Sequence, residues 1–170
     1  VHPGLEKVQQ GNTEPVDDSL KATTAETEEG IVPEWKYYRD QSLGTVTIPE
    51  GTCEIDRFAF SRSSVHTVII PEGVTTIAYA AFYHCDDLKN VVIPDGVTII
   101  GKEAFCNCRS VESVAFPLSL KMIEARAFAS CTSLRGTLEL PESLLQIGRS
   151  AFYGCSSIKK LEFPTRLEHI

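Results

Sequence analysis

No run of about 18 apolar residues occurs in this 170-residue chain, so the sequence offers no helix that would span a membrane. Basic side chains are the minority, 16 Lys and Arg against 23 Asp and Glu, for a net charge of −7. Binding to nucleic acid phosphates needs a cationic face, so nucleic acid is not expected as the main partner. Val1 is not followed by a basic and then an apolar region, so no secretory signal is visible. The missing initiator methionine leads to the expectation that the chain is a piece of a longer protein. Phosphate-cradling glycine loops, nucleophile elbows and paired zinc motifs are all absent. The four histidines, His2, His66, His84 and His169, are scattered. His84 adjoins Cys85, but neighbours in an alternating segment point to opposite sides, which leaves His84 an exposed residue. No catalytic residue, cofactor or metal site is therefore expected, and the chain reads as non-enzymatic.

The charge that is present is unevenly placed. Residues 1–30 hold Glu6, Glu14, Asp17, Asp18, Glu26, Glu28 and Glu29 against only Lys7 and Lys21, which is −5 of the −7. With few aliphatic residues and no aromatic, this segment reads as an acidic, flexible arm or linker.

A repeat governs the remainder. Short apolar runs close on Pro49, Pro71, Pro94, Pro117, Pro141 and Pro164, at steps of 22, 23, 23, 24 and 23. The pair Ala-Phe recurs at Phe60, Phe82, Phe105, Phe128 and Phe152, and an isoleucine stands five residues before each: Ile55, Ile77, Ile100, Ile123 and Ile147. Within a unit, runs such as Val91-x-Ile93 and Leu138-x-Leu140 alternate with a period of two, which predicts a short strand. Proline ends the strand and a Pro-acid-Gly turn follows. Ile77, Ala81, Phe82, Cys85 and Leu88 then lie at offsets 0, 4, 5, 8 and 11, which predicts one face of a short helix or 3₁₀ turn. One such unit cannot bury its apolar residues alone, so the units must stack into a solenoid. Parallel strands would line the concave side, and helical segments at roughly 8–10 Å would widen the convex side.

The stretch "LKNVVIPDGVTIIGKEAFCNCRSVESVAFP", residues 88–117, resembles the BspA-like (Treponema-type) leucine-rich repeat. The resemblance covers about three quarters of the chain. It departs at Ser63, where the family has cysteine, and at Asp56, Ala78 and Glu124, where Gly101 has no glycine counterpart. It implies a right-handed leucine-rich-repeat superhelix and a surface-exposed or secreted protein associated with adhesion and binding to host or matrix proteins. It brings no catalytic residues.

The domain organisation expected is an arm at 1–30, a degenerate N-terminal capping half-repeat at 31–43, and repeats over 44–170, five full and a truncated sixth. The half-repeat places Val32, Tyr37 and Leu43 in the columns of Ile77, Phe82 and Leu88, with Trp35 over the open face. The last unit has no Ala-Phe pair, and an uncapped end offers a route to end-to-end self-association. Cys85, Cys108, Cys131 and Cys155 each follow the repeat phenylalanine by three residues and read as a column of buried thiols. Wide convex spacing would keep them from bridging. Cys53 and Cys106 lie off the column and read as surface or semi-exposed.

Function in a solenoid resides on faces. Strand alternation points two columns outward from the concave sheet. Thr67, Asn90, Ser113 and Thr137 belong to one, and Ile69, Val92, Ala115 and Glu139 to the other. An apolar centre between small polar groups and acids suits a protein partner. The lack of aromatic platforms there counts against glycans. The expected function is a protein-binding module of a larger surface or secreted adhesin-like protein. A cytoplasmic scaffold, or the targeting domain of an enzyme whose catalytic part lies elsewhere, are the alternatives.

Overall fold

A computed structural model describes residues 44–169, together with the backbone of residues 19–21, 24–27 and 30–33. Strands are numbered in chain order. β1 (Ser19–Lys21) pairs in parallel with β4 (Thr45–Thr47), and β2 (Thr24–Thr27) forms an antiparallel pair with β3 (Gly30–Pro33). The arm expected at 1–30 and the capping half-repeat expected at 31–43 otherwise fall outside the described residues.

From residue 44 the chain is a parallel β-solenoid. β4, β6 (Thr67–Ile69), β8 (Asn90–Val92) and β10 (Ser113–Ala115) are consecutive neighbours on the concave face. Their middle residues, Val46, Val68, Val91 and Val114, face the core, so the flanking residues must face out. A second parallel sheet contains only two-residue strands: β5 (Glu54–Ile55), β7 (Thr76–Ile77), β9 (Ile99–Ile100), β11 (Met122–Ile123) and β13 (Gln146–Ile147). Ile55, Ile77, Ile100, Ile123 and Ile147, the column read from the repeat, are all buried.

The helix or 3₁₀ turn expected on the convex side is not formed; among the described residues there is no helix. A chain of tight turns takes its place. Within these turns two positions have positive φ: the one before Ala-Phe (Ala80 φ 55, Glu103 φ 57, Arg126 φ 56) and the one before the cysteine column (His84 φ 56, Asn107 φ 63, Ser130 φ 60). Left-handed residues at such intervals are incompatible with a helix. They turn alternate N–H groups toward the next unit. Phe82 N–H donates to Ala104 O at 2.7 Å and His84 N–H to Cys106 O at 2.9 Å, whereas Ala81 and Tyr83 donate within their own unit, to Ala78 O and Ala80 O. Every turn therefore bonds both to itself and to its neighbour. The inward residues at offsets 0, 4, 5, 8 and 11 are as expected; only the backbone that carries them differs.

This also corrects the spacing. The rings of Phe60, Phe82, Phe105 and Phe128 stack at 5.0–5.1 Å with interplanar angles of 2–8°. That is nearly the strand spacing of about 4.8 Å, so the wide convex wall inferred from helices is absent. The core runs continuously through these rings, the isoleucines, Leu88, Val111 and Leu134.

One interruption matters for the concave face. β12 (Gly136–Glu139) pairs with β14 (Ile158–Glu162) and not with β10. The step between Pro117 and Pro141 is 24 rather than 23 residues. The register shifts between Gly136 and Thr137, and Gly136 has φ +86, where a side chain would be strained. The link across the break is Arg135 N–H to Glu112 O at 3.2 Å, beside an ion pair between the same two side chains.

Candidate binding face

The eight residues singled out on the outward columns are all exposed, but they fall on two sheets. Thr67, Asn90 and Ser113 are in direct register, as are Val92 and Ala115, on the sheet that ends at β10. Ile69 lies on the same sheet, opposite Thr47. Thr137 and Glu139 lie beyond the break, on β12, opposite Lys160 and Glu162. The two large apolar residues, Ile69 at 50% and Val92 at 67% relative exposure, lie on the successive strands β6 and β8, which pair at Thr67 and Asn90, and Ala115 is in register with Val92. The neighbouring polar column is tied together by Ser113 Oγ and Asn90 Oδ1 at 3.1 Å.

Electrostatics divide this face. The centre around Val92 carries no charge, whereas β12 and β14 bring Glu139 and Glu162 directly opposite one another. Like charges in register repel. Lys160 Nζ relieves this by approaching Glu162 Oε1 at 2.6 Å, and that hydrogen bond raises the Lys160 pKa.

The cysteine column is buried at Cys85, Cys108 and Cys131 and half-buried at Cys155, all free thiols. Their bonding there was not legible from the repeat pattern. Each thiol donates to the carbonyl of the phenylalanine one unit earlier: Cys85 to Phe60 at 2.9 Å, Cys108 to Phe82 at 3.0 Å, Cys131 to Phe105 at 3.2 Å and Cys155 to Phe128 at 3.0 Å. The column is thus a second set of unit-to-unit bonds. Burial, then the hydrogen bond with Cys85, pushes the Cys108 thiol well up. Ser63 fits the same place, with its Oγ 3.6 Å from Cys85 Sγ.

Cys53 is exposed, as expected. Cys106, expected to be surface or semi-exposed, is more buried than that: it is 8% exposed, and burial followed by the charge of Glu103 raises its pKa. It lies at the floor of an open depression of about 410 Å³ lined also by Arg126, Ala129, Ser130, Ser150 and Tyr153. A second, of about 450 Å³, is lined by Arg62, Ser63, Ser64, His84, Asp86 and Asp87. In it His84 is half-buried, with Nδ1 3.8 Å from Asp86 Oδ2, and Arg109 approaches the same carboxylate. Among the described residues no three His, Cys, Asp or Glu side chains converge as metal ligands. Nor is any helix there long and apolar enough to cross a membrane.

Stacked units of 22–24 residues, one strand per unit on the concave wall and an Ile, Ala-Phe and Cys framework define a leucine-rich repeat protein. The chain belongs to the BspA-type leucine-rich repeat family, whose pattern matches residues 19–135 and 133–170 in six copies. It is similar to a leucine-rich cell surface protein from Faecalibacterium prausnitzii (27% identity, TM-score 0.64), covering 85% of this chain and 48% of that one. It is also similar to the leucine-rich repeat protein of T. pallidum (25% identity, TM-score 0.68), covering 92% of this chain and 85% of that one. The pneumococcal vaccine antigen PcpA shares the fold at 23% identity and TM-score 0.69, over 84% of this chain and 39% of that one. The chain thus spans about half the length of the Faecalibacterium protein. Among curated proteins none matches the chain.

Proposed function

We propose that this repeat domain is a non-enzymatic, adhesin-like module of a surface or secreted protein, and that it holds a protein partner on its concave face. The observation that carries the reading is the uncharged centre of that face. Ile69 and Val92 leave half or more of their surface in water although the fold buries 31 other apolar residues in one cluster. Adjacent exposed aliphatic residues with a polar rim suit protein docking. The surface assignment draws on the Faecalibacterium relative, which is a cell surface protein. Leucine-rich repeats in general serve protein interaction, and the sites singled out here are Thr67, Ile69, Asn90, Val92, Ser113, Ala115, Thr137 and Glu139.

The test compares immobilised wild-type domain with Ile69→Lys/Val92→Lys and with a convex-side control, Lys102→Glu/Arg149→Glu, against purified extracellular matrix proteins. The concave pair should abolish capture and the control should retain it. Capture that survives the concave pair, or is lost only in the control, refutes the assignment.

A further inference from the structure

The close stacking that replaces the expected wide convex wall also removes the obstacle to bridging within the cysteine column. Around Cys131 and Cys155 the last two full units are joined by Phe128 N–H to Ala151 O at 2.8 Å and by Ser130 N–H to Tyr153 O at 2.6 Å. A single oxygen, Phe128 O, accepts both the Cys131 N–H at 3.3 Å and the Cys155 thiol at 3.0 Å. The Phe128 and Phe152 rings, three residues earlier in each unit, stand 5.6 Å apart. A unit-to-unit step of that order falls inside the roughly 4.4–6.8 Å between Cα atoms that a disulfide spans.

Reach separates this pair from the rest of the column. Cys85 and Cys108 are both sealed in the core, whereas Cys155 is half-buried and Cys131 is its neighbour one unit inward. Gly154, at φ +74, precedes Cys155, where the buried thiols follow His84, Asn107 and Ser130. Glycine lets the Cys155 backbone shift toward Cys131 at little conformational cost. We propose that Cys131 and Cys155 are a redox pair, with Cys155 the attacking thiol and Cys131 the resolving thiol, which a low-molecular-weight disulfide such as glutathione disulfide closes into a covalent bond between the two units.

The exchange balances in two steps. The Cys155 thiolate attacks one sulfur of the small disulfide, so that a mixed S–S bond forms, the original one breaks and one small thiolate leaves. Cys131 then gives its proton to solvent and attacks the Cys155 sulfur, expelling the second small thiolate. The two protein sulfurs lose two electrons, and the small disulfide gains them as two thiols. The environment suits these roles. The hydrogen bond from Cys131 lowers the Cys155 pKa against the effect of burial, which favours the attacking thiolate. The hydrogen bond with Cys155, and then burial, hold the proton on Cys131. Capping of Cys155 neutralises that sulfur and removes the first of these restraints.

The experiment uses the whole 170-residue chain carrying Cys53→Ser, so that the exposed thiol takes no part. Reduced protein is equilibrated in mixtures of glutathione and glutathione disulfide, quenched in acid, alkylated and mapped by mass spectrometry of non-reduced tryptic peptides. The expected product has lost two hydrogen masses and carries a cross-link between peptides 127–135 and 150–159. Cys131→Ser should instead trap a glutathione adduct on Cys155 at about ten times the wild-type level. Cys155→Ala should show neither species. Ser63 already occupies the same column, and matching thermal melts identify both variants as folded. Wild-type protein that stays reduced in excess glutathione disulfide, that accumulates the adduct without the cross-link, or that joins Cys155 to Cys106 overturns the proposal.

Discussion

Truncating Phe105 to alanine tests the stacking model of stability most directly. The ring is 1% exposed and lies between Phe82 and Phe128, each centroid 5.0 Å away. Loss of a fully buried Phe side chain from its apolar surroundings costs about 1.5–3 kcal/mol. Each aromatic contact adds about 0.5–1.5 kcal/mol, and this ring makes two. The rigid turns on either side limit collapse into the void, so the expected cost is about 3–5 kcal/mol. In a domain of this size that lowers Tm by roughly 8–16 °C. Phe152 supplies the internal control. It is half-buried and, among the described residues, stacks only on Phe128, at 5.6 Å, so Phe152→Ala should cost less than half as much. Circular dichroism melts and urea titrations measure both. Because stability in a stacked array is a sum over neighbours, Phe105→Ala should also broaden the transition as the two flanks uncouple. Equal shifts for the two variants, or a Phe105→Ala melt within about 3 °C of wild type, would refute the nearest-neighbour account.

Glycine substitutions test how tightly the second sheet and its turns abut. A Cβ at Gly148 would stand 2.3 Å from Ala125 N and 2.5 Å from Glu124 C, whereas at Gly101 the nearest atoms are at 2.8 Å. Gly148→Ala should therefore cost about 3 kcal/mol and Gly101→Ala somewhat less, read from urea midpoints; neutrality of both would show that the units are not in contact there. Ellman's reagent at neutral pH should titrate Cys53 rapidly, half-buried Cys155 slowly, and Cys85, Cys106, Cys108 and Cys131 only after denaturation. A second fast thiol assigned to Cys106 would contradict its burial. Alkaline stability follows from the raised thiols. Below the ordinary thiol value of 9.0 both folded and unfolded chains keep Cys108 protonated, so it contributes no pH dependence. Above 9.0 the unfolded thiol ionises while the folded one holds its proton, so stability falls as pH rises, by about 1.4 kcal/mol per unit for each such thiol. Denaturant midpoints between pH 8 and 11 should fall less steeply in Cys108→Ala than in wild type.

The repeat was legible because its inward columns are chemically strict. Ile77, Phe82, Cys85 and Leu88 recur at fixed offsets, and each lies in the core. The convex backbone was not legible, for a physical reason. Offsets of 0, 4, 5, 8 and 11 describe which side chains face inward, and a helix meets that condition as well as a succession of tight turns does. What separates them is φ, and the left-handed positions are occupied by Ala80, His84, Glu103 and Asn107 as well as by glycine. Most of these residues give no local warning, since glycine and asparagine are the usual markers of that conformation. Helical spacing would make the convex wall too wide for the thiol-to-carbonyl bonds that join the units. Cys106 failed differently. Its column contains Tyr83 and Tyr153, half-buried and exposed, and position alone could not show that smaller Cys106 and Ala129 sink below the surface.

The same division of labour explains why the concave columns are free to carry function. Unit-to-unit bonding is distributed over four systems: the long-strand ladder, the two-residue strands, the alternating turn amides and the column thiols. The outward side chains of β6, β8 and β10 take little part in any of them; their main mutual contact is Ser113 with Asn90. Replacing Ile69 or Val92 therefore leaves the cohesion of the stack intact, in contrast to Phe105. A surface whose residues are relieved of structural duty can be varied unit by unit, and here the variation is directional: aliphatic at β6 and β8, small at β10, acidic at β12. The break between β10 and β12 coincides with the change from neutral to acidic, so the register shift between Gly136 and Thr137 marks the boundary between two chemically different halves of one face.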